Sequence, residues 1–219
     1  MQQTIITFPD IKLAMRDAHK LRGYFGRLFQ DHSPLLHNHL QGGGLRYKYP
    51  LVQYKVIDGI PMLVGLEEGA SLLMQLFLEI RQLNINNQIF EILDKNIQCK
   101  KIDIGYSETL QEYHFKTFWM PLNQKNYAQY IQSNELDQKK ALQRILNNNI
   151  LSLFKGVNVW LQKEERIMSK LSVQKSQTNF KDKAMLAFRG AFFTNAILPE
   201  YCGIGKSVAR GFGTIKLID

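Results

Sequence analysis

Of the five histidines in the chain, two stand one residue apart as His37-Asn38-His39. They sit in a stretch that opens at Asp31 and Pro34 and ends in three glycines, Gly42, Gly43 and Gly44. Imidazole has an ordinary pKa near ~6.5, so it takes or gives a proton at neutral pH. In an extended segment, side chains two apart point the same way, so both rings can reach one bond. Tyr47 and Tyr49 follow directly after the glycines and can position or protonate a substrate. The pair can therefore supply a base and an acid, with the division of roles left open. A metal is not required by this set. Binuclear hydrolases often carry aspartate where Gln41 stands, and the nearest carboxylates are Asp31 and Asp58. A divalent ion wants a convergent set of carboxylate, imidazole or thiolate ligands. Neither metal nor cofactor is expected.

Near the other end runs Gly203-Ile-Gly205-Lys206-Ser207-Val-Ala-Arg210-Gly211-Phe-Gly213, followed by Thr214 to Ile218. Glycine permits positive φ and close approach of backbone to a ligand, and consecutive amide groups can form a concavity for phosphate. A dinucleotide fold would need a helix and an acidic residue about 20 positions further on. Only Thr214 to Asp219 remain after Gly213, and Glu200 stands where a P-loop needs glycine. Two readings are left: a basic loop that grips a polynucleotide backbone, or a long glycine-rich hairpin connection.

The chain has 219 residues, a net charge of +9, and a composition 45% hydrophobic and 11% aromatic. That composition suits a folded chain with a substantial core, and the charge suits an anionic partner, nucleic acid or membrane surface. No apolar run approaches the ~20 residues needed to cross a bilayer. Cys99 and Cys202 lack neighbouring cysteines, which argues against a disulfide framework or a zinc ribbon. A cytoplasmic location is expected.

In chain order, Gln2 to Phe8 reads as a strand and Ile11 to Phe29 as an amphipathic helix. Lys12, Arg16, Lys20 and Arg27 are expected on the outer side of that helix. Arg46 to Ile57 reads as a strand that turns at Asp58-Gly59 into a second one, Ile60 to Gly65. A helix follows with Leu72, Leu73, Leu76, Phe77, Ile80 and Leu83 on its stripe. Strands come next near Gln98 to Ile104 and from Glu112 to Pro121. Strand, helix, hairpin, helix, strand is the ferredoxin-like order. Beyond a connector from Pro121 to Gln132, Asn134 to Phe154 is helical. Strands are expected at Val157 to Gln162, Met168 to Gln174, Met185 to Phe193 and Thr214 to Ile218, with Lys163 to Lys183 as a polar, basic hairpin arm. The fold class is α+β: tandem ferredoxin-like (RRM-like) units, 1–121 with the histidine pair and 122–219 with the glycine-rich loop.

The Gly-x-Gly, five residues, Gly-x-Gly pattern resembles the signature of the RAMP superfamily of CRISPR-associated proteins. Lys20-Leu-Arg22-Gly23, Leu36-His37-Asn-His39-Leu40 and Arg46-Tyr47-Lys-Tyr49-Pro-Leu-Val-Gln-Tyr-Lys55 narrow it. They look like the sixth CRISPR-associated family, the repeat-processing endoribonucleases, in the branch with a histidine pair ahead of an Arg-Tyr-x-Tyr-Pro strand. The resemblance implies metal-independent cleavage within CRISPR repeat transcripts, leaving a 2′,3′-cyclic phosphate and a 5′-hydroxyl. It puts His37 and His39 in the catalytic roles with Tyr47 as assistant. It gives RNA binding to Gly203, Gly205, Lys206, Ser207, Arg210, Gly211 and Gly213, together with Lys20 and Arg22. The implied partner is CRISPR precursor RNA. Effector-complex subunits and a second copy of the chain are further candidates, and no membrane is implied. The rival reading is a non-catalytic RAMP subunit that holds RNA in an effector complex.

Overall fold

The computed structural model describes residues 1–29, 49–180 and 183–218. His37, His39 and Tyr47 lie outside the described residues, as does the expected start of the second strand at Arg46. The chain divides into two compact units. One comprises Met1–Ile102 with Ala209–Gly211; the other comprises Asp103–Val208 with Phe212–Asp219. The division falls earlier than the boundary expected at Pro121, because the aromatic strand before Pro121 pairs in the second sheet.

In the first unit, β1 (Gln2–Thr7) leads to α1 (Ala18–Leu28), the hairpin β2 (Val52–Ile57) and β3 (Ile60–Leu66), and α2 (Glu68–Leu76). A small hairpin of β4 (Gln82–Ile85) and β5 (Gln88–Glu91) follows, then β6 (Asn96–Lys101). The antiparallel sheet has the order β2-β3-β1-β6. Asp58 and Gly59 both take positive φ, 51° and 82°, as the two-residue turn requires. The helix expected from Ile11 begins only at Ala18. The Ile11 amide donates to the Phe8 carbonyl and the Leu13 amide to Gly59. Ala14 is extended and its amide donates to the Asp17 carboxylate at 3.2 Å. Ile11 is buried in the core all the same. Lys12 and Arg16 therefore precede α1 and do not extend its basic face. Leu83 lies in β4, beyond a turn that ends α2, and Asn86 and Asn87 close that hairpin at φ 57° and 62°. Asparagine tolerates this left-handed conformation better than most residues.

The first core is a stack of rings and aliphatic chains between the helices and the sheet. Phe25 on α1 lies 5.8 Å from Tyr54 and 6.5 Å from Phe8, centroid to centroid, with Ile6, Leu21, Val56, Leu63 and Leu73 around them.

In the second unit, β7 (Gly105–Phe115) is followed by α3 (Gln124–Gln132) and α4 (Glu135–Gly156), then the long hairpin β8 (Ser169–Phe180) and β9 (Lys183–Ile197), and β10 (Ile215–Leu217). The order is β10-β7-β9-β8, antiparallel throughout, so β8 is an edge strand. The stretch expected as a connector holds α3, whose N-terminus is capped by Asn123 accepting from the Asn126 amide at 2.9 Å. No strand forms at Val157 to Gln162; Val157 instead ends α4, its amide bonded to the Leu153 carbonyl. α3 and α4 cover one face of the sheet. Tyr130 of α3 sits edge-on to Phe188 at 6.1 Å, and Asn147 of α4 accepts from the Ser169 hydroxyl. Trp119, fully buried, stacks on Phe115 at 5.3 Å.

The two sheets can be aligned strand for strand. In each, the last strand lies beside the first, and the hairpin pair completes the order. They differ in their connections: α1 stands alone where the second unit has α3 and α4, and the small β4–β5 hairpin has no counterpart. Between β3 and β6 the first unit has α2, whereas between β9 and β10 the second has the glycine-rich stretch with a single 3-10 turn at Val208–Arg210.

α2 is pressed onto the first sheet through glycine. A Cβ on Gly69 would collide with the Leu51 carbonyl, and one on Gly65 of β3 with the Gly69 carbonyl. Gly23 on α1 has open space around it among the described residues. Gly69→Ala should therefore lower stability by about 1–3 kcal/mol through overpacking. Gly23→Ala should raise it by roughly 0.5–1 kcal/mol, as expected for an exposed helix position. Urea denaturation of both variants beside wild type checks this.

Candidate nucleic-acid interface

The glycine-rich stretch is shaped from inside the protein. Its neck is a backbone ladder in which the Ile204 amide donates to the Gly213 carbonyl at 2.8 Å and the Ile215 amide to Cys202 at 3.0 Å. The Gly213 amide donates to Phe118 at 2.8 Å, Thr214 to the Thr117 hydroxyl at 2.9 Å, and Lys206 to Met120 at 3.0 Å. Gly213 has φ 62° and a Cβ there would run into the Ile204 carbonyl. Gly205, at φ 100°, faces the Trp119 indole nitrogen, 2.8 Å from where a Cβ would stand. Gly203 is similarly closed off by Val208. The expectation of positive φ holds at Gly205, Gly211 and Gly213, and Ser207 adds a fourth at φ 56°. The expectation of a row of amides open to phosphate is narrowed, because the amides of Ile204, Lys206 and Gly213 are spent on the protein's own carbonyls.

What the loop offers outward is cationic. Lys206 is exposed. Arg210 is half-buried and belongs with the first unit. There Gly211, at φ 92°, lies against α1 and β2: a Cβ on it would stand 2.8 Å from the Ala18 methyl and 3.3 Å from the Tyr54 carbonyl. Burial, and then the like charge of Arg22 on α1, lower the pKa of Arg210. Guanidinium stays protonated through such shifts, so two positive groups share one neighbourhood. Tyr54 is buried beneath them, and burial pushes its hydroxyl pKa far up while the charge of Arg22 pulls the other way. Arg22 and Arg210 are thus the two expected RNA-binding cations that the fold brings together.

Lys20 is placed differently. Its ammonium group is bonded to the Asp17 carboxylate at 2.7 Å. Burial alone would raise the pKa of Asp17, but the hydrogen bond and charge of Lys20, with bonds from the Ala14 amide and Asn86, outweigh it and leave the carboxyl below its ordinary value. Lys20 is committed to holding the start of α1. Asp17 is a residue that sequence reasoning missed, although its position three residues before a lysine at a helix start is the available signal.

Lys55 of β2 is fully buried, as is Gln53, whose side-chain amide donates to the Tyr49 hydroxyl at 2.9 Å and the Pro50 carbonyl at 3.1 Å. These bonds fix the entry to β2. The histidine pair is thus joined by the chain to α1 on one side and to β2 on the other, the elements that carry Arg22 and Tyr54. Among the described residues, no group of three or more His, Cys, Asp or Glu side chains could hold a metal ion. No helix among them is long and apolar enough to cross a membrane.

An α+β protein of two antiparallel sheets, with a cationic loop following the last long hairpin, is the class defined by this architecture. The chain belongs to the Cas6b family: the model of the Cas6b N-terminal domain matches residues 1–103 and that of the C-terminal domain residues 105–218. It is similar to a crystal structure of Cas6b at 36% identity and a TM-score of 0.93, covering 99% of each chain. It is also similar to a CRISPR RNA processing endoribonuclease Cas6b at 33% identity and a TM-score of 0.80, covering 100% of each. An uncharacterized protein of Methanocaldococcus jannaschii is 30% identical over 145 residues, 66% of this chain and 98% of that one. A type IV Cas6 crRNA endonuclease shares the fold at 12% identity, with a TM-score of 0.63 over the full length of both chains. The family resemblance carried by the two motifs is thereby borne out.

Arg22 and Arg210 lie close together, whereas Lys20 is bonded to Asp17. Arg22→Ala with Arg210→Ala should weaken RNA binding and flatten its log–log salt dependence by about 0.7 for each single-strand phosphate left without its cation. Lys20→Ala should mainly cost stability at the start of α1. Fluorescence anisotropy across a salt series, with a thermal melt of each variant, distinguishes the two effects.

Proposed function

We propose that this protein cuts CRISPR repeat precursor RNA into guide-length pieces by a metal-independent reaction. The observation that carries the reading is full-length similarity, at 33% identity, to a CRISPR RNA processing endoribonuclease Cas6b. The paired cations Arg22 and Arg210, beside the elements that flank the histidine segment, support it. Both units are read as ferredoxin-like. The strand order of the first supports this directly, and the second keeps the order with its second helix replaced by the glycine-rich loop.

The nucleophile is the ribose 2′-hydroxyl next to the scissile phosphate, so it is already held within the substrate and proximity supplies much of the rate. The protein must align that hydroxyl with the leaving 5′-oxygen, accept one proton and donate another. It must also stabilise the charge added to the phosphate. His39 is assigned as general base or acid, with His37 or Tyr47 in the second role. Arg22 and Arg210 are assigned to the phosphates, and Lys206 is assigned to RNA binding as well. The products are a 2′,3′-cyclic phosphate and a 5′-hydroxyl.

Incubating the purified protein with repeat RNA in EDTA tests the reading. Cleavage with those ends is expected; RNA that is bound but left intact would point to a non-catalytic RAMP subunit. Replacing the ribose 5′ of the cut with deoxyribose should abolish cleavage while leaving binding within a few-fold, since affinity comes mainly from phosphate contacts and shape. Cutting of the deoxy substrate at full rate would rule out internal attack.

His39→Ala should slow single-turnover cleavage by about 10²–10⁴-fold, the usual worth of one general acid or base, with little change in affinity. The His37→Ala rate then tells whether the pair divides the two roles. If both variants cut at the wild-type rate, the catalytic assignment fails.

A further inference from the structure

The charge of the chain is unevenly spread. Between Lys55 and Lys95 stand six carboxylates, Asp58, Glu67, Glu68, Glu79, Glu91 and Asp94, and one cation, Arg81, in a chain whose net charge is +9. This stretch holds α2 and the β4–β5 hairpin with the turns on either side of it. It also carries three large apolar side chains that the core leaves out: Leu78 is 75% exposed, Leu93 85% and Ile89 60%.

The fold gathers these residues at one end of the first unit. The Lys95 ammonium donates to the carbonyls of Phe77 at 2.6 Å and Ile80 at 2.7 Å, and it lies 4.6 Å from the centroid of the Phe77 ring. The Ile92 amide donates to the Arg81 carbonyl at 3.1 Å. Leu93 and Asp94 are thereby tied against the turn that carries Leu78 and Glu79. In the hairpin, Leu83 pairs with Phe90 on the side packed against the core. Ile89 and Glu91 alternate with Phe90 along β5, so they share the outer side. Glu79, Glu91 and Asp94 are exposed. Among the described residues, no lysine or arginine pairs with Glu91 or Asp94. Lys95, the cation next in sequence, is spent on backbone carbonyls.

We propose that this apolar and acidic end of the first unit docks a partner protein, through a segment that combines leucine-like side chains with lysine or arginine. Large apolar side chains left this exposed and rimmed by charge mark a protein-interaction surface. Leu78, Leu93 and Ile89 would meet the partner's apolar side chains, and Glu91 and Asp94 its cations. Carboxylates at a rim steer a basic segment in and turn polyanions away. An RNA strand or an anionic membrane surface is therefore disfavoured here, in contrast to the cationic neighbourhood of Arg22 and Arg210. Docking of this kind does not depend on whether the protein cuts RNA.

The probe is a short synthetic peptide with leucines at helical spacing and arginines between them, titrated by calorimetry into the RNA-free full chain. Leu78→Ser with Leu93→Ser should raise the dissociation constant about tenfold with little effect on its salt dependence. Glu91→Lys with Asp94→Lys should raise it about tenfold or more and remove most of the salt dependence. The same charge change on exposed carboxylates elsewhere, Asp10→Lys with Glu164→Lys, should leave it within about twofold. A peptide with serine in place of leucine should bind about tenfold more weakly than the leucine peptide. All the altered positions are exposed, so each variant should melt with wild type. If the Asp10 and Glu164 variant loses as much affinity as the Glu91 and Asp94 variant, or the serine peptide binds as well as the leucine peptide, the attraction is diffuse charge and the docking site is wrong. If the leucine variant instead loses affinity for repeat RNA, the surface belongs to RNA and the proposal is again wrong. If sedimentation shows wild type self-associating and the leucine variant monomeric, the occupant is a second copy of the chain and the proposal falls. The proposed function stands or falls separately, by the cleavage assay in EDTA.

Discussion

The backbone contact between Ile204 and Gly213 sets the form of the second unit. Two strands of chain approach so closely there that no side chain fits at Gly213, and the Ile204 amide closes the neck on the Gly213 carbonyl. From that neck the chain runs directly into β10, where Ile215 pairs with Phe115 of β7. The residues in between form a bounded loop, of which Ala209–Gly211 group with the first unit. In a ferredoxin-like plan, a helix would make this connection and bury an apolar stripe on the sheet. Here the connection buries Ile204 and Val208, leaving Lys206 and half of Arg210 outside. The strand order is kept with a cationic loop in place of a helix.

Charge by itself separates these residues poorly. Lys20 and Arg22 are neighbours on one helix, yet Lys20 is neutralised by Asp17, and Arg22 is close enough to Arg210 to depress its pKa. Burial is the larger cause of that shift, and the like charge of Arg22 adds to it. Lys55, in turn, is wholly buried and belongs to the interior of the first unit, although its place in a basic strand gives it the look of a surface cation.

Most of the fold is legible in the sequence because its signals are local. Asp58-Gly59 specifies its hairpin through backbone conformation, and the α4 stripe of Leu142, Leu146, Ile150 and Leu153 repeats with the helical period. Expectation and structure part where a long-range contact overrides a local pattern. Ile11 has the spacing of a helical core residue, but the chain there is held extended by bonds to the hairpin turn at Gly59. Leu83 continues the stripe of α2 in sequence and in fact belongs to β4, because Asn86 and Asn87 make a turn that the apolar spacing hides. α3 reads as a connector since it is only nine residues long and largely polar; Asn123 as a cap is the overlooked clue. At the site, the glycine pattern foretells conformation correctly and open amides too generously. Which amides are spent depends on carbonyls more than 80 residues away, at Phe118 and Met120.

The edge strand β8 has a consequence of its own. It presents twelve residues, Ser169–Phe180, with one side unpaired by any strand of its sheet. Such an edge is a template on which foreign chains can add by hydrogen bonding, the first step toward amyloid-like assembly. The sequence Ser-Lys-Leu-Ser-Val-Gln-Lys-Ser-Gln-Thr-Asn-Phe interrupts its few apolar residues with lysine, serine and glutamine at nearly every turn of the pleat. Lys175 reaches toward α4 by its bond to Gln138. The polar character of this strand works against recruitment of other chains at the border of the sheet.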